Sequence, residues 1–124
     1  MTIGCVTISI DLELAWGNWD NLEQRHIDHV EALERPIVKR LVEIFDRHSL
    51  PVTWAFVAAL LDRDSARERP GNERLWYAPD VIDTIRSART QHDLGSHGGH
   101  HRYFTTMNEQ EANDELGFAR AVHD

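Results

Sequence analysis

The sequence predicts an α/β fold in which parallel strands alternate with helices. Two short apolar runs have the length and composition of buried strands, and a third, very short strand is expected at residues 92–96. Each is followed further along the chain by a segment with helical character. Strands and helices that alternate in this order usually form a parallel sheet covered by helices. The pattern alone leaves two architectures open, a barrel and an open doubly wound sheet.

The first half of the chain contains two of the predicted strands. Residues 6–11 form the first, because β-branched side chains lead there into two acids. Residues 14–21 carry turn formers and predict a loop, and residues 22–34 predict a further helix. Residues 36–48 predict a helix that begins near a proline. Its apolar stripe consists of Ile37, Val38, Leu41, Val42, Ile44 and Phe45.

The second half repeats the alternation. Residues 52–61 predict a strand that continues into a helical turn, with Trp54 in the core, and the charged residues 62–75 predict a surface loop. A helix is expected at 79–90 and a very short strand at 92–96. A last helix is expected from Asn108 to the final residue, because Asn108 and Glu111 form a capping pattern.

Composition limits the class of protein. A chain of 124 residues is sufficient for one domain, and its net charge of −8 argues against a nucleic acid partner. No apolar run reaches the length of a membrane span, and the N-terminus lacks the features of a signal peptide. We therefore expect a cytoplasmic protein without a membrane partner. The single cysteine, Cys5, fits a reducing compartment and is expected in the core.

Two acids follow the first predicted strand. Asp11 and Glu13 are two residues apart, so an extended backbone places their side chains on one face. Two adjacent carboxylates repel each other unless a cation or a proton offsets their charge. The alternative is that both acids are solvated residues just beyond the strand.

Two histidines follow the third predicted strand. His97 and His101 are four residues apart, so one helical turn, or a loop of similar pitch, points both imidazoles to one side. Two histidines and one carboxylate with open positions are typical of a catalytic metal site. The alternative is a flexible exposed segment that binds nothing. His100 is a possible alternative ligand if the local turn differs from the one that points His97 and His101 to the same side.

Other aromatic and histidine residues have less specific interpretations. Trp16 and Trp19 flank Gly17 in the first loop, where they could stack on a sugar or anchor the loop on the core. His26 and His29 lie in a polar stretch, and no other cluster of ligand-type residues accompanies them, so we interpret them as solvated.

These motifs together resemble the polysaccharide deacetylase family, the carbohydrate esterases with a NodB-homology domain. SIDLELAWG resembles the family's acid motif and LGSHGGHHRYF its histidine motif, while SLPVTWAFV resembles its second strand. The resemblance covers nearly the whole of residues 1–124. It implies that Asp11 is the catalytic base, that Glu13, His97 and His101 bind a divalent metal, most often Zn²⁺, and that the fold is the N-terminal part of a distorted (β/α) barrel.

The sequence also departs from the family pattern. Glu13 stands where an aspartate is more common, and Gly98 replaces a serine or threonine. The later motifs, which supply an arginine that orients the base and a histidine general acid, have no counterpart here. We therefore expect an incomplete domain that self-associates or pairs with a missing C-terminal half.

The resemblance implies a hydrolase that removes N-acetyl groups, or less often O-acetyl groups, from a saccharide. The alternative is a metal- or sugar-binding fragment without turnover. A third class, the amidohydrolases, would place a His-x-His pattern after the first strand, and that pattern is absent from the sequence.

Overall fold

The computed structural model of the protein describes residues 4–123. These residues form three strands and five α-helices: β1 (Ser9–Leu12), α1 (Gln24–His29), α2 (Arg35–His48), β2 (Thr53–Phe56), α3 (Arg63–Arg67), α4 (Pro79–Arg86), β3 (Asp93–Ser96) and α5 (Glu109–His123). Short 3-10 helices cover Leu14–Asn18, Ala58–Leu61, Glu73–Leu75 and Phe104–Thr106, and a π-helical segment, Val30–Glu34, joins α1 to α2. The predicted alternation of strands and helices is confirmed.

The strands form one parallel sheet in the order β1-β2-β3. Ser9 pairs with Thr53, and Thr53 pairs with Asp93, so the three strands begin and end at the same level. The carboxyl ends of β1 and β3 therefore lie at one edge, on either side of the end of β2. In parallel α/β folds this edge is where functional side chains collect.

The two faces of the sheet differ in composition. Ile10, Trp54 and Leu94 occupy paired positions on one face, where Trp54 is fully buried and the other two pack against the same core. Residues of α2 and α4 complete this core. Ser9, Asp11 and Asp93 lie on the opposite face and are exposed. The described helices thus cover one face of the sheet and leave the polar face open.

β1 is shorter than predicted and begins three residues later. The main-chain hydrogen bond nearest the N-terminal end of this ladder runs from the N–H of Thr53 to the carbonyl of Ile8. Val6 is 90% exposed. By the same register Thr7 would face Pro51, which has no N–H group to donate, so the pairing stops there. The predicted core position of Cys5 is wrong, because its side chain is exposed.

One continuous helical segment replaces the two helices predicted over residues 22–48. Pro36 cannot donate a hydrogen bond to the carbonyl four residues before it, and the wider π-helical turn directly precedes this proline. Val38, Val42 and Phe45 are buried as predicted, but Ile37 is 45% exposed. α2 ends at His48, and the left-handed conformation of Ser49 (φ 50°) lets Leu50 donate its N–H to the carbonyl of Phe45.

Two segments predicted as loops contain short helices. Leu14–Asn18 is a 3-10 helix whose first three residues are buried. Arg63–Arg67 forms α3, because the carboxylate of Asp62 accepts the N–H of Ser65 at its start. The remainder of residues 62–75 is largely exposed, apart from a few side chains that join the core.

The last two helices differ in how well their ends were predicted. α4 ends at Arg86, four residues early, because the carboxylate of Asp46 accepts the N–H groups of Arg89 and Thr90 and holds them outside the helix. The start of α5 is confirmed: Asn108 and Glu111 each accept the other's main-chain N–H. α5 packs against Ala58–Leu61 and β3. Within residues 4–123, no helix has the length and apolar character that a bilayer span requires.

Candidate metal centre

Glu13, His97 and His101 converge at the carboxyl edge of the sheet. Oε1 of Glu13 lies 2.8 Å from Nε2 of His97 and 3.2 Å from Nε2 of His101. All three side chains are half-buried, and among the described residues they form the group of ligand atoms that could hold a metal ion. The predicted ligand set is therefore brought together in space.

The spacing of the three ligand atoms can be compared with a tetrahedral zinc site. Bonds of ~2.1 Å to the ion place neighbouring ligand atoms about 3.4 Å apart. The two distances from Glu13 are 0.6 Å and 0.2 Å shorter than this, since 3.4 − 2.8 = 0.6 and 3.4 − 3.2 = 0.2. Small side-chain rotations would open the group enough for an ion, and three ligands leave one tetrahedral position open.

Glu13 is held by the turn that follows β1. Leu14 adopts a positive φ of 48°, and the N–H of Trp16 donates to the carbonyl of Glu13, which turns the chain into the 3-10 helix. The carboxylate of Glu13 then lies against Gly17, where an added Cβ would be 2.1 Å from Oε2. The absence of a side chain at Gly17 therefore allows Glu13 to point toward the histidines.

The two histidines lie on an irregular loop rather than on a helix. We call residues 97–101 the histidine loop. His97 donates its N–H to Phe56, while Ala58 and Ala59 donate to the carbonyls of Gly98 and Gly99. Gly98 has a φ of 81°, and His101 has a φ of 58°, which a histidine adopts only at a cost. The loop brings the two imidazole rings to a centroid distance of 5.1 Å.

Asp11 lies beside the ligand group on the other nitrogen of His97. Its Oδ1 is 3.8 Å from Nδ1 of His97, and its side chain is 58% exposed. This distance is too long for a hydrogen bond but within reach of a small side-chain rotation. The structure thus places Asp11 near the ligands, where it could act as a base or orient His97.

His100, the alternative ligand, faces away from Glu13. Its Nδ1 lies 2.9 Å from Oε2 of Glu115, and its Nε2 lies 3.1 Å from Oγ of Ser65. Its ring also stacks on Phe118 at a centroid distance of 4.3 Å. Both ring nitrogens are therefore engaged outside the ligand group. Sequence reasoning did not identify Glu115.

The tryptophans of the first loop do not form an open stacking surface. Trp16 is fully buried, donates its Nε1–H to the carbonyl of Trp76, and packs edge-on against that ring. The proposed sugar contact of Trp16 is therefore wrong, and the alternative of a core anchor describes it. Trp19 is half-buried and donates its Nε1–H to the carbonyl of His101 at 2.8 Å, so it supports the histidine loop. The guanidinium of Arg69 lies over the rings of Trp16 and Trp19.

An open cleft adjoins the metal ligands. It has a volume of about 350 Å³, and its wall includes His97, His101, Arg102, Tyr103 and Phe104. Tyr103 and Phe104 are 52% and 45% exposed, which is unusual for large aromatic side chains. The sequence analysis did not identify Tyr103 and Phe104 as site residues, although they follow His101 closely in the chain.

Two groups in this part of the protein have raised pKa values. The pKa of Tyr103 is raised, first by repulsion from the Asp20 carboxylate and also by a hydrogen bond to it. The pKa of Glu34, in the π-helical turn, is raised mainly by burial. His29 lowers the pKa of Glu34, while the carboxylate of Glu13 raises it further. The carboxylates of Asp20 and Glu13 thus each act as a negative charge on a neighbouring group.

His26 and His29, which we interpreted as solvated, are not part of the ligand group. His29 is exposed on α1, as predicted. His26 is half-buried, and its Nδ1 accepts the N–H of Glu23 at the start of the helix. We found no match of the chain to a protein-family model, to a curated protein or to a solved structure.

Proposed function

We propose that this chain carries the metal-binding part of a hydrolase site that removes acetyl groups, mainly N-linked, from a saccharide. The observation that carries the proposal is the convergence of Glu13, His97 and His101, whose potential ligand atoms all lie within 4.8 Å of one another. Two imidazoles and one carboxylate, with a position left open, are the donor set of catalytic rather than structural zinc sites. The half-buried location gives substrate access from the adjoining cleft.

Zinc is the proposed metal because of the chemistry of the donors. Imidazole nitrogen suits Zn²⁺, whereas Mg²⁺ and Ca²⁺ prefer sites made only of oxygen. When bound, Zn²⁺ lowers the pKa of a coordinated water toward ~7 and polarises a carbonyl group. Asp11 is proposed as the base that takes a proton, since its exposed carboxylate lies next to His97.

The cleft is proposed to bind a sugar ring through Tyr103 and Phe104. The faces of aromatic rings bind the apolar faces of pyranoses, and Arg102 offers donors to hydroxyl groups at the same wall. These residues take the place that the sequence interpretation gave to Trp16. The finer fold proposal, that the parallel sheet is the N-terminal part of a (β/α) barrel, is supported by the sequential strand order and by the open polar face.

A second candidate function is binding of metal or sugar without turnover. Deacetylation needs an acid that protonates the leaving amine. Among the described residues that line the cleft, the two candidate acids are already engaged: Glu115 by His100, and Tyr103 by Asp20. This observation favours binding without turnover by the chain alone. For turnover, a partner segment or a second copy of the chain would supply the acid and cover the polar face.

An assay of acetate release from N-acetylated chitooligosaccharides separates the two candidates. The wild-type chain is assayed with added Zn²⁺ beside His97→Ala, and sugar binding is measured in parallel by calorimetry. Zinc-dependent release by the wild type alone supports the deacetylase. Binding of zinc or sugar without release supports the binding function. Absence of zinc binding contradicts the deacetylase, and absence of both zinc and sugar binding contradicts both candidates.

A further inference from the structure

Glu115 contacts the histidine loop at His100 and Gly99. It lies on α5 and is 5% exposed, which makes it the one buried charged residue in the described part of the chain. A carboxylate buried without partners is strongly destabilising, so its partners must offset the loss of water. Those partners both belong to one residue of the loop.

His100 provides both partners of the carboxylate. Oε1 of Glu115 accepts the main-chain N–H of His100 in a short hydrogen bond, and Oε2 lies 2.9 Å from Nδ1 of the same residue. This pair of contacts fixes the backbone at His100 as well as the direction of its ring. Because His100 lies directly before His101, the contacts also restrict how the second metal ligand can point.

Gly99 allows α5 to approach the loop this closely. A Cβ at this position would lie 2.8 Å from the carboxyl carbon of Glu115 and 3.0 Å from its carbonyl oxygen. Phe118, one turn further along α5, stacks on the ring of His100. The helix therefore contacts the loop at three places, through two side chains and one stretch of backbone.

Ser65 lies on the other side of His100, and the connectivity Ser65–His100–Glu115 is that of a serine-hydrolase triad. However, Oγ of Ser65 lies 2.5 Å from Oδ2 of Asp62, a contact that requires the hydroxyl hydrogen. The imidazole then faces the serine oxygen as a donor, the opposite of what the base of a nucleophile does. The arrangement is therefore a structural link between α3, the loop and α5.

We propose that Glu115, acting through His100, is a positioning residue that holds the histidine loop in the conformation that presents His97 and His101 to a metal. This inference rests on the proposed function, because the two histidines must bind an ion for their positions to matter. It also explains the positive φ of His101, since such a conformation persists only where the surroundings determine it. Mutation of a residue that orients a metal ligand typically lowers metal affinity by roughly 10–100-fold.

The test compares three variants of the full chain. Glu115→Met removes both acceptors at similar length, whereas Glu115→Gln keeps one acceptor and offers an amide donor to Nδ1. Ala119→Gly, at a buried position of the same helix, weakens α5 without removing the acceptors. Calorimetry with Zn²⁺ should show a loss of about 10–100-fold for Glu115→Met. Glu115→Gln and Ala119→Gly should keep most of the affinity.

Wild-type affinity in Glu115→Met, or an equal loss in Ala119→Gly, would overturn the positioning role. Hydrogen exchange of the His100 amide in the metal-free protein provides a readout that does not depend on zinc. Protection in the wild type and in Ala119→Gly, with its loss in Glu115→Met, supports the proposal. If the wild type binds no zinc, the proposed function fails. Equal amide protection in the wild type and in Glu115→Met would separately overturn the role of Glu115 in holding the loop.

Discussion

Nε2 of His97 lies 2.8 Å from Oε1 of Glu13, although 84 positions separate the two residues in the chain. The parallel register of the sheet accounts for this contact, because β1 and β3 end at the same edge on either side of β2. The ladder brings the backbones to one level, and the turns that follow the strands aim the side chains toward each other. The candidate metal centre is thus a consequence of strand order combined with two local turns.

We expect the chain to bind one Zn²⁺ through Glu13, His97 and His101. His97→Ala should lower the affinity by about 100-fold or more, beyond the typical effect of an outer partner. Affinity should also fall at acid pH, because imidazole binds a metal only without its proton. Calorimetry measures both effects. His48→Ala, an exposed histidine on α2, is the control and should bind like the wild type; equal binding by His97→Ala contradicts the ligand assignment.

Gly17 provides a second test of the metal centre. Gly17→Ala places a methyl group 2.1 Å from Oε2 of Glu13, so the carboxylate must move away from its observed position beside the histidines. We expect metal affinity to fall by at least tenfold, comparable to the loss of an outer partner. The backbone at Gly17 lies outside the left-handed region, so an alanine there adds no backbone strain.

Gly117→Ala is the matched control for this substitution. A Cβ at Gly117 meets no atom within 4 Å, and the residue lies inside α5. The change should raise the free energy of unfolding by about 1 kcal/mol through helix propensity and leave zinc binding unchanged. Metal affinity that is unaffected by Gly17→Ala would show that Glu13 does not need its observed position.

The elements of the fold were largely predictable because they depend on local periodicity. Val38, Val42 and Phe45 recur at helical spacing, and the apolar run 52–61, which contains Trp54, is bounded by a proline and by charged residues. The ends of elements depended instead on distant partners. α4 stops early because Asp46 binds Arg89 and Thr90, and β1 starts late because Pro51 cannot pair. No local pattern contains that information.

The ligands of the candidate site were predictable, but the residues that support them were not. Glu13, His97 and His101 are ligand types at strand ends, which the parallel topology brings together. Glu115 looks like an ordinary solvated glutamate in a helix rich in charged residues, and only the tertiary fold buries it. Trp16 had two interpretations of equal weight, and packing against Trp76 decided between them.

Asp46 leads to a prediction about how the stability of the folded protein changes at acid pH. Its pKa is lowered, first by the N–H of Thr90 and then by that of Arg89, both of which stabilise the charged form. A group with a lowered folded pKa stabilises the protein above its unfolded pKa and loses this contribution as the pH falls through the folded value. Asp46→Asn should therefore lower the unfolding midpoint at neutral pH.

This destabilisation should shrink as the pH falls below the ordinary range of an aspartate, because the wild-type carboxylate then takes up its proton. Denaturant unfolding between neutral and acid pH measures the difference. Asp83→Asn, an exposed position on α4, is the control and should change the midpoint little at any pH. A difference between Asp46→Asn and wild type that is constant over this range would exclude the charged form of Asp46 as its source.

The last prediction separates the roles of the two acids. Glu13 contacts both imidazoles, whereas Asp11 approaches only Nδ1 of His97, at 3.8 Å. If Asp11 is the base, Asp11→Asn should keep zinc affinity and reduce acetate release by roughly 10²–10⁴-fold. Glu13→Gln should lose zinc and activity together. Calorimetry on this chain measures the zinc part, and the assay of acetate release measures the rest.

A third outcome follows from the position of Asp11 on the outer nitrogen of His97. A carboxylate there can orient the ring for its metal, and its loss would then lower zinc affinity by roughly 10–100-fold. Such a loss in Asp11→Asn would show that the residue orients His97 and would leave the base unassigned. Unchanged zinc affinity in both Asp11→Asn and Glu13→Gln would contradict the metal centre, because the acids would then be solvated strand-end residues. Asp93→Asn, an exposed acid on the same face of the sheet, controls for the removal of one negative charge.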